Sequence, residues 1–248
     1  MPFVAPFTSA DRQTITTAKR LYLQRSLEEL FGTCVAVCIA TPDMYGSVLF
    51  PPEAEYQASM VESRRQEFAA GRASARGALG RLGAAPASIA RGRDGAPTWP
   101  SGFVGSITHC PGFCAAVAAR ASDISGLGLD AETADTLPAE LLRWICRSEE
   151  QAAFAQLPWA PACGWGKLAF SAKEALFKGW RPPGGGMLDF LEVRLHFTPL
   201  DSDGAKGLFQ AREASGCDLA QDRFRTIRGF WMTDNERIYS GAVRTHDG

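Results

Sequence analysis

Gly128-Leu129-Asp130-Ala131-Glu132 sets two carboxylates two residues apart. On a strand, both would point to one face. Like charges that close repel unless something positive sits between them. A hard divalent cation meets that need, since Mg²⁺ takes oxygen ligands and keeps waters and substrate phosphates around it. The plainer alternative is an exposed strand end where water screens both charges. Further on, Phe170-Ser171-Ala172-Lys173-Glu174-Ala175-Leu176-Phe177-Lys178 carries one acid between two lysines. Glu174 and Lys178, four apart, share a helix face. A surface ion pair explains them in isolation. Beside a metal, the acid is a third oxygen ligand or a base, and the lysines are point charges for phosphoryl oxygens.

Arginines precede both motifs: Arg64, Arg65, Arg72 and Arg76, then Arg91 and Arg93. On a helix Arg65, Arg72 and Arg76 fall on one side, with Arg64 farther round. They form either a solvated face or a phosphate clamp, because guanidinium grips phosphate bidentately. Gly105-Ser106-Ile107-Thr108-His109-Cys110 offers several donors at a strand end. Gly126-Leu127-Gly128-Leu129-Asp130-Ala131 also satisfies a G-x-G-x-x-A pattern. Its continuation into Asp130 and Glu132 would repel the pyrophosphate that a dinucleotide fingerprint binds. Together these features describe a ligand with a pyrophosphate, a divalent metal and a further phosphate elsewhere.

The elements that must hold these residues are legible in part. Residues 33–40 read as a strand, and Pro51-Pro52-Glu53 as the opening of one long helix with a stripe of Phe68, Ala75, Leu79 and Leu82, stopped by Gly83. A loop follows from Arg91 to Gly102. Strands are predicted at 103–108, 114–119 and 124–132, and short helices at 138–146 and 148–156, the second with a Ser148/Gln151 capping box. A longer helix at 162–180 ends at Pro182-Pro183-Gly184-Gly185-Gly186. The tail reads as strands near 189–198, 207–212, 223–232 and 237–244. Strands and helices in separate blocks predict an α+β fold. The chain has 248 residues with 26 Lys plus Arg and 27 Asp plus Glu, a net charge of -1. That balance gives no global field for nucleic acid. No run reaches the length of a membrane span. Met1-Pro2-Phe3-Val4-Ala5-Pro6-Phe7 lacks a basic and then apolar leader, so a cytoplasmic protein is expected. The seven cysteines, Cys34, Cys38, Cys110, Cys114, Cys146, Cys163 and Cys217, form no CxxC pair. The Cys34/Cys38 and Cys110/Cys114 pairs read as small buried hydrophobes.

The ordered set Arg64-Arg65-x-Glu67-Phe68-x2-Gly71-Arg72, Pro97-x-Trp99-Pro100, Gly105 to Cys110, Gly128-x-Asp130-x-Glu132 and Phe170 to Lys178 resembles the 4'-phosphopantetheinyl transferases. The likeness is to the long Sfp-like class that includes the enterobactin-synthase component D type. It covers residues 60 to 180. Phe170 stands where other members have Trp. The resemblance implies two similar α+β halves with pseudo-twofold symmetry, 1–122 and 123–248, in a monomer with the ligand between them. It implies transfer of 4'-phosphopantetheine from coenzyme A to a serine of an apo acyl, peptidyl or aryl carrier protein, as in siderophore or polyketide biosynthesis, releasing adenosine 3',5'-bisphosphate. By the same resemblance Asp130, Glu132 and Glu174 hold Mg²⁺, with Mn²⁺ possible as a substitute. Glu174 and Lys178 are catalytic. Lys173 and Lys178 contact phosphates. Arg64, Arg72, Arg91, Thr108 and His109 bind the adenosine-phosphate end. Two rivals remain at this point: a non-catalytic module that holds coenzyme A or a carrier, and a hydrolase acting on a pyrophosphate bond. No G-x-S-x-G elbow supports a serine hydrolase.

Overall fold

A computed structural model describes residues 15–157, 159–180, 188–214, 222–234 and 236–246. The N-terminal heptapeptide, the Pro182–Gly186 turn and Cys217 lie outside them. Helix α1 (Thr17–Phe31) leads into β1 (Val35–Ile39), then α2 (Pro51–Gln57), α3 (Glu62–Arg81), β2 (Phe103–Cys110) and β3 (Phe113–Arg120). These strands form an antiparallel sheet in the order β1-β3-β2. The chain continues through β4 (Gly126–Thr133), α4 (Ala139–Ile145), α5 (Ser148–Ala155), α6 (Trp165–Trp180), β5 (Val193–Pro199), β6 (Lys206–Glu213), β7 (Ile227–Thr233) and β8 (Arg237–Arg244). The second sheet has the order β4-β8-β7-β6-β5.

One topology is used twice. A strand is followed by a long helix, and the last strand of a hairpin returns to pair with the first strand: β1, α3, β2, β3, then β4, α6, β7, β8. The second unit adds β5 and β6 at its edge. The repeat is carried by topology, with no matching short motif in the sequence.

Burial follows the period of each element. Along β3, Ala115, Val117 and Ala119 face one core shared with Leu127, Leu129, Phe230 and Tyr239, while Ala116 and Ala118 face α3 through Ala75, Ala78 and Leu79. Layers cover both faces of β3, and its alanines keep those layers close.

The helix predicted to run on from Pro51 is two helices. Gln57 ends α2, and α3 restarts at Glu62. No proline or glycine marks the break. It is held instead by tertiary contacts: the Gln57 side chain donates to the Arg65 carbonyl at 2.9 Å, and Glu53 is clamped elsewhere. Glu53 is fully buried. Its carboxylate accepts from Arg76 at 2.9 Å on both oxygens, from the Ile89 amide at 2.7 Å and from the Phe50 amide at 3.0 Å. Other shifts are small. Helix α6 begins at Trp165, after Gly164 at φ 78°. The acid that caps α5 is Glu150, not Gln151, and it accepts from the Arg147 amide at 3.2 Å. Cys110 and Cys114 are buried as expected, as are Cys146 and Cys163, of which nothing was expected, but Cys34 is exposed and Cys38 half-buried. Burial pushes the Cys110 and Cys146 thiols up to about 12, which leaves them unreactive.

Removing a buried charge's partner is costly, about 3–5 kcal/mol. Glu53→Ala is therefore expected to lower the unfolding free energy by about that amount, read from urea titration, because it strands Arg76 and two amides at once.

Candidate active site

Four residues on one face of β4 organise the site. Leu127, Leu129 and Ala131 point into the core between the two sheets. Gly126, Gly128, Asp130 and Glu132 therefore point the other way, toward α6. A Cβ on Gly128 would stand 1.7 Å from the Ala175 carbonyl oxygen, and one on Gly126 would stand 2.1 Å from that of Gly179. Backbone contact of this kind admits only glycine. The G-x-G pattern thus serves helix-on-strand packing, and the dinucleotide reading is set aside.

Where the helix runs on past the glycines, side chains meet. Lys178 Nζ lies 2.7 Å from Asp130 Oδ1 and 3.2 Å from the Leu129 carbonyl. Lys167 Nζ lies 3.0 Å from Glu132 Oε2. Asp130 is buried, and its Oδ2 has no hydrogen-bond partner. Glu174 sits between the two lysines along α6. Burial pushes its carboxyl above the usual range, Asp130 and Glu132 push the same way, and Lys178 opposes them. Burial likewise raises Glu132, against the hydrogen bond from Lys167.

Strand β2 closes the other wall. The Thr108 hydroxyl accepts from the Ala131 amide at 2.9 Å and Ser106 donates to the Leu129 carbonyl at 3.4 Å, which ties β2 to β4. Ile107, Thr108, His109, Asp130, Glu132, Phe170, Glu174 and Lys178 line one cavity of about 360 Å³. At its edge the Arg64 guanidinium donates to the His109 ring and to Glu67 at 3.1 Å. Burial first, then Arg64, holds the His109 imidazole below its ordinary value.

The remaining predicted residues divide. Arg72 is buried under its own helix's Phe68, with the guanidinium 4.2 Å from the ring. Its Nε has no partner, and burial lowers it to about 10, so it stays a cation. Tyr56 packs on Phe68 at 5.5 Å, and Arg91 lies 4.7 Å over Tyr56. A run of Arg64, Phe68, Arg72, Tyr56 and Arg91 thus leads away from His109. Arg65 and Arg76 are engaged with Glu62 and Glu53, which takes them out of the clamp.

Lys173 corrects the sequence reading. It was expected to contact phosphates, but it is fully buried on the far side of α6. Its Nζ reaches Glu150 at 2.8 Å and the carbonyls of Ile145, Phe190 and Val193 at 2.8, 2.9 and 2.8 Å. Neighbouring residues on a helix stand about 100° apart, so Lys173 cannot share the Glu174 face. Sequence reasoning missed Lys167. It lies seven residues before Glu174, a two-turn spacing that was readable as the same stripe.

The carboxylates fit a hard divalent ion in donor type, and Asp130 offers an unpartnered oxygen. Among the described residues, no three His, Cys, Asp or Glu side chains already converge as ligands of one ion. Lys178 and Lys167 hold Asp130 and Glu132 instead. Mg²⁺ needs only one or two carboxylates besides phosphates and waters.

Lys173→Ala should reduce stability by about 3–5 kcal/mol by leaving Glu150 buried without its cation. Coenzyme A affinity of the folded protein should stay at the wild-type value. Urea titration and calorimetric binding separate the two effects, and weakened binding in the folded state would return Lys173 to the site.

Known proteins resemble this chain along most of its length. Residues 52–119 match the 4'-phosphopantetheinyl transferase N-terminal domain, and residues 126–236 match the 4'-phosphopantetheinyl transferase superfamily. The chain is 37% identical over 202 residues to the 4'-phosphopantetheinyl transferase PptT of Mycobacterium tuberculosis, spanning 81% of this chain and 88% of that one. It is 47% identical over 159 residues to the 4'-phosphopantetheinyl transferase Svp of Streptomyces mobaraensis, where the match spans 64% of this chain and 65% of that relative's length. With the 4'-phosphopantetheinyl transferase Npt of Nocardia iowensis the identity is 37% over 167 residues, or 65% of this chain and 72% of the other. The two matched segments meet where the two sheets divide, and the cleft residues come from both: the chain belongs to the 4'-phosphopantetheinyl transferase superfamily of enzymes.

Proposed function

We propose that the protein moves the 4'-phosphopantetheine group of coenzyme A to a serine hydroxyl of an apo carrier protein, with Mg²⁺, releasing adenosine 3',5'-bisphosphate. The observation that carries this reading is the single cavity where Asp130, Glu132, Glu174 and Lys178 meet Thr108 and His109. The halves divide near residues 122 and 123, and one chain supplies both walls, so the working unit is a monomer. Among the described residues no helix is long and apolar enough to cross a membrane, and the proposed setting is the cytoplasm.

Asp130, Glu132 and Glu174 are the residues that would hold the cation, which when bound supplies charge neutralisation at the pyrophosphate. The serine oxygen forms a bond to the phosphorus next to pantetheine, and the bond from that phosphorus to the adenosine 5'-phosphate breaks. The serine proton goes to Glu174, directly or through water. Glu174 lines the cavity beside Asp130 and Glu132, within reach of a bound substrate as a general base must be. Lys178, released from Asp130, turns its ammonium to the phosphoryl oxygens. Thr108, His109, Arg64, Arg72 and Arg91 hold the adenosine-phosphate end. Most of the task is positioning and electrostatics.

Intact-mass spectrometry of a panel of apo carriers with coenzyme A and Mg²⁺ should show one phosphopantetheine added at one serine, and none with EDTA. An unchanged carrier across the panel would sink the proposal. Products released from coenzyme A without a carrier would point to a hydrolase. Asp130→Ala and Glu174→Ala should each lower turnover by at least about 10²-fold with the fold intact.

The adenosine end has its own test. A charge-assisted contact is worth about 1.5–3 kcal/mol, or roughly tenfold to a hundredfold in affinity. His109→Ala and Arg72→Ala should weaken coenzyme A by that factor and change 3'-dephospho-coenzyme A little. Equal losses for both ligands would show that these residues do not read the 3'-phosphate.

A further inference from the structure

Lys167 is in an unfavourable place. It is buried and stands in the first turn of α6, where the helix dipole disfavours a cation. That turn carries no acid of its own. Both costs are offset by one contact across to β4, the 3.0 Å pair with Glu132. Asp135 is a second partner at 3.9 Å, on an exposed side chain. Along α6, Lys167, Glu174 and Lys178 form one stripe, and along β4 Asp130 and Glu132 form the facing one. Three carboxylates face two ammonium groups. Asp130 and Glu132 take one lysine each, and Glu174 is left without an ion pair among the described residues.

We propose that Lys167 is the resident counter-ion of Glu132, a positioning residue that holds this carboxylate at the cavity until a divalent cation arrives and so sets the affinity for that cation. The inference rests on the metal reading of Asp130, Glu132 and Glu174. The ammonium grips Oε2 only, which restrains the carboxylate without occupying both oxygens. An arriving cation competes with Lys167 for Glu132 and is repelled by its charge. Asp135 is placed to receive the displaced ammonium, so the lysine need not be left buried and unpaired.

The test uses the full chain without coenzyme A and follows free Mn²⁺ by electron paramagnetic resonance. Removing one positive charge about 6 Å from a divalent cation is worth roughly tenfold in affinity at a water-like dielectric. Lys167→Met should therefore bind Mn²⁺ about tenfold tighter than wild type, and Lys167→Arg should restore the wild-type value. In a Glu132→Gln background, Lys167→Met should have a smaller effect, because the charge repulsion remains and only the competition for Glu132 is gone. Lys167→Gln serves the same purpose if the Met variant does not fold. Equal or weaker Mn²⁺ binding by the uncharged variants, with Asp130→Ala weakened as expected, overturns this inference alone. Mn²⁺ binding that ignores Asp130→Ala overturns the metal reading, and this inference with it.

Discussion

The close contact of α6 with β4 is the constraint on which the site depends. On one strand face the sequence reads Gly126, Gly128, Asp130, Glu132, and these meet α6 at Gly179, Ala175, Lys178 and Lys167. The first two positions have no side chain because helix carbonyls occupy the space. The last two have acids because the helix presents ammonium groups there. Packing and charge are therefore one arrangement: the glycines bring the helix axis near enough for short lysine contacts, and a helix held farther off would leave Asp130 buried beside nothing. The ledge of Ala172, Ala175 and Leu176 on the core side of α6 holds the helix against that contact.

Electrostatics then shapes what the cavity can do. Of the three cavity carboxylates, Glu132 and Glu174 are held from ionising by burial, and neighbouring acids push the same way. Lys167 and Lys178 answer two of the three. The third, Glu174, carries the residual cost as a raised carboxyl. Beyond His109 cations predominate, with Arg64 at its ring and Arg72 and Arg91 farther along, and burial and Arg64 hold the His109 imidazole below its ordinary value. Carboxylates thus line the cavity itself, and the cationic run leads off from its His109 edge.

Much of this was legible in the sequence, for reasons that are local. Period two put Asp130 and Glu132 on one face, and the i, i+4 spacing put Glu174 beside Lys178. The strands were placed within a few residues, since their apolar runs are bounded by Gly and Pro turns. What failed was tertiary. Lys173 looked equivalent to Lys178 until the burial of its side of α6 showed that Glu150 and three carbonyls take all its protons. The break between α2 and α3 has no residue signal because the Glu53 cluster, built from three separate segments, holds it. The glycines of β4 were already refused as a dinucleotide motif, but their actual partners, helix carbonyls 47 residues on from Gly128 and 53 on from Gly126, left no local signal.

The two halves contribute unequally, and the seam shows why they must be joined. The first half supplies cations and a histidine, the second supplies carboxylates and their lysines. Neither wall can set its distance from the other through its own sheet, because β2 and β4 belong to different sheets. That distance is set by Thr108 Oγ1 accepting from the Ala131 amide and by the Ser106 hydroxyl donating to the Leu129 carbonyl. Ala131 lies between Asp130 and Glu132, so the bond fixing the seam is made by the backbone that carries both acids. The core of Val117, Leu127, Leu129, Phe230 and Tyr239 beneath it draws on both sheets and is buried. A packed core of this kind resists change in separation far more than a surface loop would. The cleft is therefore held from below by apolar packing and at its floor by two hydroxyl bonds, leaving the charged side chains above as the parts free to rearrange around a ligand.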